Sequence, residues 1–350
     1  MLKQTKQVIL INTPVGGGAP VTIQSMLSVD TMNRLAVKSQ IDSLINEGCD
    51  IIRIAVEDEK AALLCKEYID YSSVPLVADI HFDPKIALLC SEIGFCKIRV
   101  NPGNISAASF REIVAACKKN KTAIRLGVNS GSLEKDLLAK YGGVTASGLA
   151  ESALNGIGAF EKLAFDDLIV SIKSSNVALT VAANRLLKEK CDYPLHIGIT
   201  ESGVGQAGIV KSAVGIGAML LDGIGDTVRV SLTADPVGEV RAAKQILNSL
   251  GLRDSVEIVS CPTCSRCKYD LKSVAEEVSV LTAGIKSRLK IAVMGCAVNG
   301  PGEAREADFG VAGGGVGGKA VIFAKGEVLR TVAFDQVLPE LKKLIDAENS

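Results

Sequence analysis

Leu35-Ala-Val-Lys-Ser-Gln-Ile-Asp-Ser-Leu-Ile-Asn-Glu47 is followed, three residues later, by Ile51-Ile-Arg-Ile-Ala-Val56. The first run places apolar side chains at helical spacing (Leu35, Val37, Ile41, Leu44, Ile45), and the second is a short apolar run of the kind a strand buried on both faces requires. Outward from this pair the alternation repeats. Strand-like runs stand at Val21–Met26, Pro75–Ile80, Cys96–Val100, Ala123–Val128, Leu168–Ile172, Leu195–Thr200 and Thr227–Leu232, which with Ile51–Val56 makes eight. Helical periodicity returns between them, for example over Val237–Leu250. Eight alternations over about 230 residues fit an α/β chain built as a (β/α)8 TIM-type barrel, with a doubly wound open sheet as the competitor. The count of eight, and the lack of a G-x-G-x-x-G after the first strand, favour the barrel.

After Leu250 the pattern changes to a small α+β unit. Val256–Ser260 reads as a strand, Leu271–Gly284 as a helix and Lys290–Met294 as a strand. Ala320–Phe323 and Val328–Val332 then form a hairpin around Lys325-Gly326, and a terminal helix begins near Phe334. We therefore expect two domains, residues 1–253 and 254–350. A chain of 350 residues supports that division, since single cores stop growing near ~250–300 residues. At the other end, Pro14-Val-Gly-Gly-Gly-Ala-Pro20 lacks the lysine of a P-loop and reads as a hairpin turn.

Lys plus Arg and Asp plus Glu both total 39, so no global field draws the chain to nucleic acid or an anionic membrane, and any anion recognition is local. No apolar run approaches the ~20 residues needed to span a bilayer. The N-terminus runs into a strand-like Val8–Asn12 without a signal-type pattern, so a cytoplasmic protein is expected. Of ten cysteines, Cys49, Cys65, Cys90, Cys96, Cys117 and Cys191 are scattered singly and read as reduced packing residues.

Functional groups of such a barrel stand at the C-terminal strand ends. Here those ends carry Arg53, Asp79 with His81, Arg99 with Asn101, Arg125 with Asn129, Lys173 with Ser175, Glu201, and Arg229 with Ser231. Cations repeated within apolar strands need a counter-charge to offset desolvation. A phosphate or diphosphate supplies it, and structural pairing with Asp79 or Glu201 is the plainer alternative for any single arginine. The loop Asn129–Ser132 adds backbone donors suited to phosphate. His196, within an apolar strand, reads as structural.

The remaining cysteines form two groups, Cys261-Pro-Thr-Cys264-Ser-Arg-Cys267 and Met294-Gly-Cys296-Ala-Val-Asn-Gly-Pro-Gly-Glu303. Cys261, Cys264, Cys267 and Cys296 could make a Cys₄ site for zinc or for a [4Fe-4S] cluster, and spacing does not choose between them. A cationic barrel mouth beside such a site argues for an enzyme.

These two cysteine segments resemble the cluster domain of the 4-hydroxy-3-methylbut-2-en-1-yl diphosphate synthase family, iron–sulfur enzymes of non-mevalonate isoprenoid synthesis. The likeness extends through Gly16-Gly-Gly-Ala-Pro20, Gln24-Ser-Met26, Ala78-Asp-Ile-His-Phe82, Arg99-Val-Asn-Pro-Gly103, Arg125–Leu133 and Thr200-Glu-Ser-Gly203, and so covers nearly the whole chain. It implies a [4Fe-4S] cluster held by Cys261, Cys264, Cys296 and the carboxylate of Glu303, which removes Cys267 from the ligand set that spacing suggested. It implies 2-C-methyl-D-erythritol 2,4-cyclodiphosphate as the substrate, opened and reductively dehydroxylated with two electrons, its diphosphate held by the strand-end cations and Glu201 near the departing hydroxyl. It also implies flavodoxin or ferredoxin as electron donor and a head-to-tail homodimer. One departure is Leu27-Ser-Val-Asp30, where family members often carry Thr-Asn-Thr.

Overall fold

The computed structural model describes residues 4–80, 83–100, 105–285, 287–296, 302, 305–315 and 318–348. His81, Asn101 and Glu303 lie outside the described residues. The chain divides into two compact units that meet at Leu252 and Arg253. None of its described helices is long and apolar enough to cross a membrane.

The first unit opens with an antiparallel hairpin, β1 (Gln7–Leu10) and β2 (Thr13–Gly16). Eight parallel strands follow: β3 (Thr22–Met26), β4 (Ile51–Val56), β5 (Leu76–Ile80), β6 (Lys97–Val100), β7 (Ala123–Asn129), β8 (Leu168–Lys173), β9 (His196–Ile197) and β10 (Thr227–Val228). Their order is β8-β7-β6-β5-β4-β3-β10-β9. A parallel bridge between Val170 and Leu195 joins β8 to β9 and closes the ring. The helices α1 (Arg34–Glu47), α2 (Glu59–Tyr71), α3 (Pro84–Ile93), α4 (Ala107–Asn120), α5 (Lys135–Tyr141), α6 (Ala146–Glu161), α7 (Val177–Lys190), α8 (Gly205–Leu221) and α9 (Pro236–Ser249) lie between the strands and after the last. Many are started by the side chain just before them. Asn33, Asp58, Asp83, Ser106, Thr145, Asn176 and Asp235 each accept a backbone N–H of the first turn, which satisfies a donor the helix itself leaves unpaired.

Strand alternation sorts the side chains. On β4 through β8, residues such as Ile52, Ile54, Ile98, Ile124 and Val170 join the outer core against the helices, while the intervening positions face inward. The lowest inward residues, Ile51, Val77, Ala123 and Ile169, pack with Cys96 on Val8, Leu10 and Val15 of the hairpin, which plugs that end with apolar side chains. The hairpin turns at Ile11, in the left-handed region at φ 58°, and not at the triple glycine as the sequence suggests. Gly16, Gly17 and Gly18 instead follow the hairpin, all at positive φ, and a Cβ on Gly16 would stand 2.4 Å from the Lys6 carbonyl.

Two strands are shorter than the apolar runs predict. Beyond Ile197 the backbone of β9 passes so close to that of Arg229 that a Cβ on Gly198 would lie 2.3 Å from its carbonyl oxygen. From there only scattered bonds join the two segments, such as Arg229 N–H to the Ile197 carbonyl (3.0 Å).

The second unit holds a five-stranded sheet: β11 (Val256–Ser260), β12 (Leu289–Met294), β13 (Phe309–Gly315), β14 (Lys319–Ala324) and β15 (Glu327–Ala333). The first three are parallel and the last two antiparallel. Helices α10 (Leu271–Thr282) and α11 (Val337–Glu348) cover it, burying Leu271, Val278, Val337 and Leu341 on Ile291, Val293, Phe309 and Ile322. The expected tail hairpin turns at Lys325 and Gly326, both at positive φ.

Candidate functional site

Above the apolar plug the barrel interior turns cationic. A cavity of about 120 Å³ is lined by Arg53, Arg99, Arg125, Gly127, Asn129, Ser171, Lys173, Thr200, Arg229 and Ser231. The sheet register explains the convergence. Arg99 of β6 lies directly beside Arg125 of β7, and Asn129 of β7 beside Lys173 of β8, so side chains two residues apart in sequence form tiers around one axis.

The counter-charges are few. Asp79 receives Arg53 at 3.1 Å and stands 3.9 Å from Arg99. Glu239, which enters from α9, accepts from Ser25 Oγ (3.0 Å) and from the Leu232 amide (2.9 Å) and stands 3.5 Å from Arg229 Nε. Among the described residues five cations thus share two carboxylates, and neither Arg125 nor Lys173 has an acidic partner. Both are nearly inaccessible, at 3% and 8% exposure.

Burial and mutual repulsion weaken the hold on their protons. Burial lowers Arg53 to about 10, opposed by Asp79 and reinforced by Arg229 and Arg99. Burial, then Arg53 and Arg99, press Arg125 well below its ordinary range, and burial with Arg125 and Arg229 does the same to Lys173. Arg125 Nε and Arg229 Nε are buried without a hydrogen bond among the described residues. Arg53 and Arg229 also share an unusual neighbour, the Met26 sulfur, at 3.1 and 3.9 Å. Asn129, in the orientation that satisfies both ends of its amide, accepts from Arg99 Nη2 at 2.9 Å. A cavity with surplus buried cations and unspent donors has the charge and hydrogen-bonding capacity to hold a compact, multiply charged anion.

Of the residues singled out from sequence, Arg53, Arg99, Arg125, Asn129, Lys173, Arg229 and Ser231 meet at the cavity, and Asp79 sits among them as the pair of two arginines. Ser175 does not line it. The chain leaves the strand direction at Ser174, whose amide is tied to Thr180 Oγ1 (3.1 Å), and Ser175 is left exposed. Glu201 is also exposed and outside the lining, next to Thr200, which belongs to it. Its backbone is held at φ 52°, a strained setting for a residue with a Cβ, of the sort that clusters at functional sites. Glu239, Ser171 and Thr200 were not singled out from sequence. Ser171 carries the signal of position, two residues before Lys173 on the same strand face. Glu239 lies inside a helix and carries none. His196 is fully buried within β9, its Nδ1 3.4 Å from Thr227 Oγ1 and its ring held well below the usual histidine range by burial and by Lys173.

In the second unit the cysteine segments follow adjacent parallel strands. Cys261 comes directly after β11 and Cys296 two residues after β12, with Ser260 in register with Val293. The Gly295 amide donates to Cys261 Sγ at 3.2 Å, an N–H···S bond of the kind that stabilises a thiolate. Cys264 is exposed, and hydrogen bonds from the Arg266 backbone and side chain lower its thiol below the ordinary value. Cys267 Sγ is turned elsewhere, donating to the Tyr269 carbonyl at 3.1 Å. Among the described residues no three His, Cys, Asp or Glu side chains are gathered at metal-holding distance. Soft thiols at two adjacent strand ends, one already receiving an amide, fit a thiolate-ligated cluster.

Two further kinds of likeness bear on these features. Among solved structures, a type I 3-dehydroquinate dehydratase from Clostridium difficile matches with a TM-score of 0.52 at 15% identity, over 70% of this chain and 98% of that one. A truncated 3-deoxy-D-arabino-heptulosonate 7-phosphate synthase from Thermotoga maritima matches at 0.50 and 13%, over 71% and 94%. Likeness at these identities speaks for the barrel fold alone. Sequence relatives go further. Proteins of Caldanaerobacter subterraneus (51% identical, 99% of this chain and 98% of that one) and Geobacter sulfurreducens (50%, 99% of both) are each named 4-hydroxy-3-methylbut-2-en-1-yl diphosphate synthase (flavodoxin). Residues 5–244 match the GcpE TIM-barrel domain and residues 257–347 the GcpE protein C-terminal domain. The chain belongs to the GcpE family, that of the 4-hydroxy-3-methylbut-2-en-1-yl diphosphate synthases.

Proposed function

We propose that this chain converts 2-C-methyl-D-erythritol 2,4-cyclodiphosphate to 4-hydroxy-3-methylbut-2-en-1-yl diphosphate, with two electrons and two protons entering and one water leaving. The observation that carries the reading is the charge balance of the cavity, five cations against two carboxylates among the described residues, which suits a cyclic diphosphate with one negative charge on each phosphoryl group. Residues 1–253 bind the substrate and residues 254–350 hold the redox centre. Arg53, Arg99, Arg125, Lys173 and Arg229 take the diphosphate; Asn129 and Ser231 orient it; Asp79 fixes the two arginines it pairs with. His81 and Asn101, in segments that carry the family resemblance, belong to the same substrate-binding set, and Glu201, beside Thr200, serves the hydroxyl that leaves as water.

Cys261, Cys264, Cys296 and the Glu303 carboxylate would hold a [4Fe-4S] cluster, which supplies the electrons one at a time. A carboxylate in place of a fourth thiolate would be the more easily displaced ligand of such a cluster. The donor is flavodoxin, the name the relatives carry, with ferredoxin as the alternative. The enzyme works in the cytoplasm as a homodimer.

Anaerobically purified protein is expected to be brown, to hold four irons per chain and to turn over the cyclodiphosphate only with a one-electron donor. A colourless protein with one zinc per chain, or turnover without reductant, would overturn the reading.

A further inference from the structure

Beneath the cavity lies a second tier that the reaction as proposed does not use. Lys97, the first residue of β6, points inward on the same strand face as Arg99 and is completely inaccessible. Its register partners, Val77 and Ala123, belong to the apolar plug, so the amine is rooted at the level where the barrel is sealed. Its Nζ reaches across to Gln24 Oε1 at 3.1 Å. Gln24 is itself 1% exposed, and its Nε2 has no partner among the described residues.

A buried lysine ordinarily survives in the charged form by pairing with a carboxylate. Among the described residues Lys97 has only a neutral amide oxygen, because Asp79 is taken by Arg53 and Arg99, and Glu239 by Ser25, Leu232 and Arg229. The groups that act on it are Arg125 from β7, the Cys96 thiol beside it and Arg53 from β4; His196 from β9 in turn feels the Lys97 charge. All are cationic or neutral. An ammonium here opposes both burial and the like charge of Arg125 and Arg53, and an anion in the cavity above offsets part of that repulsion.

We propose that Lys97, held by Gln24 below the cavity, couples anion occupancy to the uptake of a proton from solvent. The step is an amine, a bound anion and one buffer proton giving an ammonium beneath the anion; no other bond changes. It rests on the anion-site reading of the cavity. Burial and Arg125 place the free amine at about 7. Binding raises that value, so the affinity contributed by Lys97 is fully present below about 7 and is lost as pH rises above it. Lys173 is depressed as well, so what identifies Lys97 is the difference between wild type and a variant at this position.

The experiment is titration calorimetry of the oxidised, cluster-loaded full chain, without reductant, in two buffers of different ionisation enthalpy. Sulfate is the first probe and the cyclodiphosphate the second, since neither titrates near neutrality. At about pH 8 wild type is expected to take up close to one proton more per anion than Lys97→Met, and between about pH 6.5 and 8.5 to lose about tenfold more affinity. Lys97→Arg, which keeps its charge, should lose the uptake and hold its affinity at high pH; it carries the comparison if Lys97→Met does not fold. His196→Gln should retain the wild-type uptake. Equal uptake in wild type and both Lys97 variants, or loss of uptake in His196→Gln alone, overturns the proposal. Proton-coupled sulfate binding without cyclodiphosphate binding would remove the functional reading and leave the coupling, and failure to bind either anion would remove both.

Discussion

The barrel and the second unit both contain cysteines, and they treat them in opposite ways. Cys49, Cys65, Cys90, Cys96, Cys117 and Cys191 are all buried in the barrel. Burial pushes Cys65, Cys90, Cys96 and Cys117 up to about 12 and Cys191 to about 11, so at neutral pH each is a small apolar side chain with an inert S–H. In the second unit Cys264 is exposed and its thiol lowered by Arg266, while Cys261 receives the Gly295 amide. The difference is one of position in the fold. A cysteine buried in the barrel core loses water, a loss that Lys97 next to Cys96 and Lys188 near Cys191 do not offset, whereas one just past a strand end of the second unit meets free amides and solvent. A thiol becomes a ligand only in the second setting.

The largest effect should come from breaking the second setting. Replacing Cys264 with alanine is expected to abolish turnover and lower the iron content, while the thermal melt of the barrel is unchanged. Full turnover in that variant would place the cluster elsewhere. In the barrel the expectation is reversed. Cys65→Ser buries a hydroxyl in place of a thiol among apolar side chains, costing about 1–3 kcal/mol. Denaturant unfolding should show that loss, with kcat and iron content as in wild type; a fall in kcat would mean that a barrel thiol takes part in the chemistry.

The strand-end cations were legible in the sequence because the strand period is 2. Arg53 and Arg125 stand in the first half of their apolar runs and Arg99 and Lys173 near the ends of theirs, all on inward positions, and once the runs form a closed barrel their side chains have one interior to share. The same reasoning fails at Ser175, which counts as a strand-end residue only if the strand continues, and the Ser174–Thr180 hydrogen bond ends it. It fails at Glu239, whose role depends on how α9 packs on β3, a tertiary fact with no local pattern. Lys97 was read as part of an apolar run, and what distinguishes it is that among the described residues its partner is the Gln24 amide and not a carboxylate, which only the assembled barrel reveals. In the second unit, β13 escaped because Gly310, Gly313, Gly314 and Gly315 give it almost no strand propensity. Its glycines answer to close packing instead. A Cβ on Gly310 would stand 2.1 Å from the Ala292 carbonyl oxygen of the neighbouring strand.

The smallest expected effect tests where the line between the two kinds of cysteine falls. By spacing, Cys267 belongs with Cys261 and Cys264, yet its environment is that of a packing residue. Its thiol donates to the Tyr269 carbonyl, and a Cβ placed on Gly295 would lie 2.7 Å from its sulfur. The same short segment pins the strand end that carries Cys296, with Lys268 N–H on the Gly295 carbonyl (3.0 Å) and Tyr269 Oη on that of Met294 (3.0 Å). Cys267 therefore acts as a wedge behind the Gly295 amide that serves Cys261. Cys267→Ala removes one sulfur from a half-buried site and should cost about 1 kcal/mol. Iron content should stay at four per chain, because the proposed ligands Cys261, Cys264, Cys296 and Glu303 are untouched. Loss of iron equal to that of Cys264→Ala would make the Cys267 thiolate a ligand, and would release Glu303 from that role.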